Sequence, residues 1–198
     1  ELEDLLNKAL VDRVFVPVFA GSCVREEGVI AFMDAVEGWF PQMADFGRIP
    51  LVNGEQLDIS PDDERPVAFA FKSLQDPQNG RLTFLKVLAG TLQPGVELTN
   101  ARTRKAERLS HLYRMCGRET IDVTRAAAGD IVVVPKLEAL TGDTLSATGK
   151  VEAAAFRFPN SLYRIAIEPD ERGAEGKLFA FLEKAAAADP TLRIERDE

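Results

Sequence analysis

The sequence has little of the chemistry that metal sites and thiol sites require. It contains one histidine, His111, and two cysteines, Cys23 and Cys116, which lie far apart and outside a CxxC spacing. Their spacing places neither a zinc framework nor an acid–base cluster. We expect His111 to be structural or solvent-facing, and the two thiols to be minor core residues in a reducing compartment.

Long apolar runs and a phosphate-binding loop are also missing. No apolar stretch reaches the roughly 18 residues that a membrane-spanning helix needs, and no signal peptide is recognisable. The sequence has no GxxxxGK[ST] stretch that could surround phosphates with backbone N–H groups. It also lacks an N-K-x-D motif, which would bind a guanine base. No pair of carboxylates is placed for general acid–base work. We therefore predict that the chain alone neither binds nor hydrolyses a nucleoside triphosphate.

The charge is unevenly distributed. With 24 basic and 32 acidic residues the chain has a net charge of −8, so its surface as a whole repels nucleic acid. Residues 100–118 have a net charge of +5, which leaves −13 for the rest. The basic residues there are Arg102, Arg104, Lys105, Arg108, Arg114 and Arg118.

Such asymmetry is typical of a localised phosphate-binding surface, although a solvated hairpin with scattered salt bridges would have the same composition. Tyr113 is the one aromatic residue of the segment besides His111. Because stacking platforms are scarce, contact with the backbone of folded RNA is favoured over the reading of single-stranded bases.

The stretch from residue 65 to residue 149 has the pattern of a small antiparallel β-barrel. Val67, Phe69 and Phe71 alternate with small or polar residues, and Leu82–Leu88 is apolar on both faces, as in a closed barrel. Between them, Asp76–Gly80 has turn chemistry.

Two further glycine-aspartate turns follow, at Asp130 and Asp143, before apolar strands that begin near Ile131 and Leu145. We expect both aspartates to be turn residues rather than a catalytic carboxylate pair.

The residues before this stretch have an α/β pattern. The first dozen residues are amphipathic at helical spacing, Val14–Ala20 has the composition of a buried strand, and a second helix is expected from Gly28 to Pro41. Gln42–Glu64 is predicted to be a polar linker with one short strand near Leu51–Val52 and a solvated Asp62–Glu64 run.

After residue 157 the pattern is α+β. Alternation at Tyr163, Ile165 and Ile167 predicts a strand, Glu175–Ala188 is predicted to be a helix, and Leu192 with Ile194 predicts the start of a further strand.

The order of these motifs resembles the second domain of the translational GTPases, and most closely that of elongation factor G. The motifs are D-P-x-x-G, R-L-T-F-x-x-V, x-G-T-L-x-x-G, A-G-D-I-V-V-V and T-G-D-T-L. The matching residues are Asp76, Pro77, Gly80 to Phe84, Val87, Gly90 to Leu92, Gly95, Ala128 to Val134 and Thr141 to Leu145.

The resemblance extends in both directions. V-P-V-F-A-G-S-C and the following helix resemble the end of the family's nucleotide domain, where Ser22 matches the guanine-base loop and Cys23 replaces the usual alanine. F-P, I-A-I-E-P and D-P-T-L-R-I resemble the start of its third domain, although Asn160-Ser161 departs from the usual acidic-proline pair.

The implied fold class is multi-domain and mainly β: a translation-factor antiparallel β-barrel flanked by an α/β tail of a GTPase domain and half of a ferredoxin-like α+β domain. The implied divisions are 1–48, the end of a GTP-binding domain; 49–64, a linker; 65–150, the barrel (domain II); and 151–198, the first half of domain III. Because the chain begins at Glu1 rather than Met, it is expected to be processed or part of a longer protein.

The resemblance implies a fragment of a cytoplasmic translational GTPase that acts in ribosomal translocation. The parent protein is expected to use GTP with Mg²⁺, while no cofactor is expected for this chain. The barrel is expected to dock on the RNA and protein of the small ribosomal subunit through Arg102, Arg104, Lys105 and Arg108. We expect a monomer with no DNA partner and no membrane partner.

Two alternatives remain open. The chain could belong to a ribosomal protection or release-factor-recycling GTPase of the same superfamily. It could also be a non-enzymatic barrel module that binds RNA or protein.

Overall fold

The computed structural model describes residues 2–60, 65–76, 80–117, 119–154, 156, 158–169, 171 and 173–195. The chain divides into two compact units, Glu1–Arg48 and Ile49–Glu198. Among the described residues no helix combines the length and the apolar character that crossing a membrane requires.

The first unit contains the two predicted helices. Helix α1 spans Leu2–Val11 and helix α2 spans Val29–Trp39. Gly28, at φ 76°, begins α2 in a left-handed conformation that glycine adopts without steric cost, and the chain turns extended at Phe40, before Pro41. The ring of Phe19 contacts α2, since it lies edge-on to Phe32 with 5.1 Å between the ring centroids.

The strand predicted over Val14–Ala20 is wrong. This segment has no regular structure, and Val14 and Val18 are 75% and 90% exposed. A strand forms only when a neighbour takes up its backbone N–H and C=O groups, and no segment in the described part of the chain pairs with this one.

The predicted linker contains more structure than expected. A short 3-10 helix covers Met43–Phe46, and strands β1 (Arg48–Pro50) and β2 (Gln56–Asp58) form a two-stranded sheet. The turn between them includes Gly54 at φ 85°. The strands therefore flank the position predicted for a single strand near Leu51–Val52, and Asp62–Glu64 lies outside the described residues.

The second unit is dominated by antiparallel β-structure. Its further strands are β3 Val67–Asp76, β4 Gly80–Ala89, β5 Thr91–Leu92, β6 Glu97–Asn100, β7 Ala106–Arg108, β8 Tyr113–Cys116, β9 Glu119–Asp122, β10 Ala126–Ala127, β11 Ile131–Pro135 and β12 Thr144–Ser146. Eight of them form one sheet in the order β7-β6-β12-β3-β4-β11-β8-β9, and β5 pairs with β10. The predicted mainly β fold is confirmed. Asp76 and Gly80 end β3 and begin β4, while residues 77–79 of the predicted turn lie outside the described part.

This sheet curls around its core. Leu98 of β6 and Val132 of β11 belong to one core cluster, although β6 and β11 are four strands apart in the sheet. In a flat sheet four strand spacings would separate them by about 19 Å. Register shifts in the β3–β4 ladder supply local bends, and Val67–Ala70 are all buried, as expected for a strand covered on both faces.

Helix α3 spans Glu175–Ala188, with the predicted bounds. The strands predicted around it are wrong, because residues 158–169 and 191–195 have no assigned strand. Tyr163 and Ile165 are exposed. Their alternation is that of a strand, but no described segment lies alongside to pair with it.

Candidate functional site

The four predicted contact residues lie together on one hairpin. We call residues 97–108, which comprise β6, the loop 101–105 and β7, the basic hairpin; it includes Arg102, Arg104, Lys105 and Arg108. Arg114 lies on β8, where its guanidinium is 3.9 Å from Asp130, and Arg118 is outside the described residues.

The side chain of Asn100 shapes the loop of this hairpin. Its Oδ1 accepts the backbone N–H groups of Arg102 and Thr103, at 2.9 and 3.2 Å. Asparagine favours such turns because its short side chain satisfies the backbone two and three residues ahead. The backbone N–H of Arg104 also bonds to the Asn100 carbonyl at 2.9 Å, and Arg104 has a left-handed φ of 59°.

The carboxylate of Asp143 binds side chains of the loop and holds it in place. Arg102 donates two parallel hydrogen bonds to its carboxylate, Nε to Oδ1 at 2.6 Å and Nη2 to Oδ2 at 2.8 Å. Asn100 Nδ2 and the Leu140 backbone N–H each donate to Oδ2 at 2.8 Å. The bidentate geometry is the strong form of an arginine–carboxylate pair.

The ionised state of this pair follows from its surroundings. Burial raises the pKa of Asp143, but hydrogen bonds from Arg102, Asn100 and the Leu140 amide outweigh burial and hold that pKa below its usual value. The hydrogen bond to Asp143 raises the pKa of Arg102. Asp143 is therefore a turn residue, as predicted, and also a charged acceptor for the basic hairpin.

Glu107 provides a second link between the hairpin and the chain that precedes β12. Its Oε1 accepts from Asn100 Nδ2 at 3.2 Å, and its Oε2 accepts from the Glu138 backbone N–H at 2.8 Å. Asp143 and Glu107 thus accept from protein donors, while the hairpin's other carboxylate, Glu97, is exposed on β6 opposite Arg108 in the β6–β7 ladder.

The four basic side chains differ in how firmly they are held. Arg102 is bound to Asp143, and Arg104 Nη1 donates to the Gly149 carbonyl at 2.5 Å. Lys105 lies 3.9 Å from Glu138, with side chains 72% and 79% exposed, so this ion pair fixes little. Arg108 is exposed, and no side-chain hydrogen bond or ion pair holds it within the described part of the chain.

The remaining polar candidates have local roles. Asp130 Oδ2 accepts the Ala127 N–H at 2.9 Å, which confirms the predicted turn role. His111 is exposed, as expected, and stacks on Tyr113 with 6.0 Å between the ring centroids. Cys23 and Cys116 are both exposed and free, so the prediction that they are core residues is wrong. Each lies in or beside a surface turn, and composition alone does not reveal that placement.

In the other unit, Ser22 and Cys23 belong to a tight loop. Ser22 and Glu27 exchange backbone hydrogen bonds of 3.0 and 3.1 Å, which close the loop. Ser22 Oγ accepts the Arg25 backbone N–H at 3.3 Å. A Cβ at Gly21 would lie 2.8 Å from the Glu27 carbonyl oxygen, so the loop requires glycine there.

Family comparisons match most of the second unit. A family model for elongation factor G domain 2 matches residues 65–148, and one for elongation factor G domain III matches residues 158–198. The first match covers strands β3 to β12 and therefore includes the basic hairpin.

Two individual proteins are similar over nearly the whole chain. Elongation factor G of Rhodopseudomonas palustris (strain BisB18) is 36% identical over 201 residues, which is 99% of this chain and 29% of that protein. A crystal structure of a protein from Thermus thermophilus matches with a TM-score of 0.77 and 29% identity, over 100% of this chain and 28% of that one. The chain thus spans less than a third of the length of either protein.

Proposed function

This chain belongs to the elongation factor G family, and from that premise we propose that it acts in ribosomal translocation by docking the β-rich unit on the small ribosomal subunit. The basic hairpin is the docking surface. Its chemical targets are phosphates of folded ribosomal RNA together with small-subunit protein.

The observation that carries this proposal is the exposure of positive charge on an otherwise acidic chain. Lys105 and Arg108 project from the basic hairpin, while the chain as a whole has a net charge of −8. A local cationic surface of this kind binds phosphate backbones and leaves the remaining surface repulsive. Few aromatic side chains accompany it, which favours contact with the RNA backbone over base stacking.

The residues of this chain do not fit GTP with Mg²⁺, the group that the family implies. The Ser22-Cys23 loop resembles the guanine-base loop of the family, but the sequence has no GxxxxGK[ST] loop for phosphates. Among the described residues, no group of three His, Cys, Asp or Glu side chains could hold a metal ion. We therefore assign GTP hydrolysis to the full-length protein and a docking role to this chain.

Residues 1–48 are then the end of a GTP-binding domain, 49–64 a connector that contains the β1–β2 hairpin, 65–150 domain II, and 151–198 the first half of domain III. The protein is assigned to the cytoplasm, as a monomer without a DNA or membrane partner. A ribosomal protection or release-factor-recycling role would use the same docking surface. Translocation is preferred because the matched relatives include an elongation factor G.

Binding of the chain to purified small ribosomal subunits tests the proposal. We compare the unchanged chain with a Lys105→Glu/Arg108→Glu double variant by sedimentation at increasing salt. The control is Lys8→Glu/Arg13→Glu, which changes two exposed basic residues of the other unit and alters the net charge equally. The proposal predicts weakened binding for the hairpin variant and little change for the control. Equal binding by all three proteins would exclude the hairpin as the docking surface.

A further inference from the structure

We propose that Asp143 is the positioning residue of the basic hairpin, and that Arg102 and Arg104 maintain the hairpin's shape while Lys105 and Arg108 make the phosphate contacts. The inference rests on the proposed docking function. It separates the four predicted contact residues into two classes by what each guanidinium or ammonium group already binds.

The guanidinium of Arg102 is already bound to Asp143. Its guanidinium makes two hydrogen bonds of 2.6 and 2.8 Å to the Asp143 carboxylate, which is 5% exposed. The pair is neutral as a unit, so Arg102 contributes little net charge toward an incoming phosphate. The Arg102 side chain is 48% exposed and bonds to Asp143 through Nε and Nη2 alone, but a phosphate at its remaining donors would also lie near the negative charge of Asp143, which offsets the attraction.

The guanidinium of Arg104 is held by a backbone carbonyl. Its Nη1 donates to the carbonyl of Gly149 at 2.5 Å, and Gly149 is buried against Thr99 of β6. The bond therefore joins the tip of the hairpin loop to the segment that follows β12. A carbonyl contact leaves the charge of Arg104 in place but fixes where its side chain lies.

Asp143 is coupled to the backbone of the loop through Asn100. Asn100 donates to Asp143 through Nδ2 and accepts two loop amides through Oδ1. The carboxylate thus sets the orientation of the Asn100 amide, and that amide sets the course of residues 101–103. Lys105 lies at the end of this loop, whereas Arg108 is held on β7 opposite Glu97 by the β6–β7 ladder, so the position of Lys105 relative to Arg108 depends on a carboxylate that contacts neither of them.

Salt dependence separates contact residues from positioning residues. Each phosphate contact that is lost makes the slope of log affinity against log salt shallower by about 0.7 to 0.9, because fewer counterions are released. With purified small subunits, we expect this change for Lys105→Gln and for Arg108→Gln. We expect an unchanged slope for Arg102→Gln, because Asp143 neutralises that charge, with affinity lowered at every salt concentration. For Arg104→Gln, which removes a charge that is held away from the contact, we expect a smaller change of slope than for Lys105→Gln.

Asp143→Asn should change binding to unstructured RNA and binding to the small subunit in different ways. It frees the charge of Arg102, so binding to poly(U), which needs charge but no fixed shape, should be unchanged or stronger. Binding to the small subunit should weaken by about tenfold because the hairpin loses its fixed geometry. Arg102→Lys keeps the charge but lacks the bidentate fork, so it should weaken small-subunit binding in the same way. If Asp143→Asn does not fold by circular dichroism, Arg102→Lys decides.

The outcomes distinguish the inference from the function on which it rests. If the unchanged chain does not bind small subunits, the docking function fails and the contact role of Lys105 and Arg108 fails with it. If it binds, and Arg102→Gln loses as much slope as Lys105→Gln, docking stands and the inference is overturned. The inference would also be overturned if the two single variants, Arg102→Lys and Asp143→Asn, each bound small subunits as tightly as the unchanged chain.

Discussion

The side-chain amide of Asn100 donates a hydrogen bond of 2.8 Å to the carboxylate of Asp143, across 43 residues of sequence. Both side chains are buried. This bond joins the end of β6 to the turn before β12, and the same Asn100 amide organises the basic loop through its oxygen. The conformation of a surface loop thus depends on one buried carboxylate, and this dependence can be measured.

Asp143→Asn should lower the free energy of unfolding by about 2–3 kcal/mol, because four N–H donors from three residues lose a charged acceptor at a buried site. Urea unfolding of the unchanged chain and of Asp143→Asn measures the difference in their free energies of unfolding. Asp122→Asn is the matched control, since Asp122 is exposed on the edge strand β9 and should change stability by less than about 0.5 kcal/mol. A loss no larger than that of the control would contradict the anchoring role of Asp143.

The stabilisation by Asp143 should also depend on pH. The pKa of Asp143 is lowered from 3.8 in the folded chain, so its contribution is fully present above that value and is lost as pH falls through the folded pKa. The stability difference between the unchanged chain and Asp143→Asn should therefore narrow when denaturation is repeated from about pH 6 down to about pH 2. A difference that stays constant over this range would show that the carboxylate is not held ionised.

Gly149→Ala should destabilise the chain more than Gly117→Ala. Both glycines have similar left-handed φ values, 65° and 61°. A Cβ at Gly149 would lie 2.5 Å from Thr99 Cγ2, whereas at Gly117 no atom of the described residues lies within 4 Å of the added Cβ. The left-handed backbone costs roughly 1 kcal/mol in each variant, and the clash should add about 1–3 kcal/mol at Gly149 alone. Thermal unfolding of both variants compares them, and equal losses would exclude close packing at Gly149.

The chain should not bind a guanine nucleotide. Ser22 and Cys23 offer a base loop, but the sequence supplies no phosphate loop, and phosphate contacts dominate such sites. Titration of a fluorescent, non-hydrolysable GTP analogue with Mg²⁺ should give no saturable signal. Micromolar binding of the analogue would contradict this prediction, and its persistence in Ser22→Ala would place the nucleotide site elsewhere in the chain.

Local signals predicted a large part of the fold. The three helices follow from side-chain periodicity and from breakers such as Gly28 and Pro41, which act within a few residues. Strands β3, β4 and β11 follow from apolar runs between recognisable turns. Val14–Ala20 has an equally strong strand composition and forms none, because pairing depends on a partner that composition does not specify.

The site was predicted only in part, for a related reason. A count of charges identifies Arg102 and Lys105 as equivalent members of a basic segment. Their difference depends on Asp143, whose glycine-aspartate turn is ordinary in sequence and comes close only through the sheet order β6-β12-β3. A long-range acceptor of this kind leaves no signal in the spacing of nearby residues.

Cleavage of ribosomal RNA from a tethered probe tests the central claim most directly. An iron–EDTA probe is attached to Ala106→Cys, at the exposed start of β7 and between Lys105 and Arg108, in a chain that also has Cys23→Ser and Cys116→Ser. Ala31→Cys on α2 serves as the control position. The account predicts that the probe at position 106 cleaves small-subunit RNA at discrete sites, and that high salt removes this cleavage. Cleavage from position 106 that is no stronger or more localised than cleavage from position 31 would contradict docking through the basic hairpin.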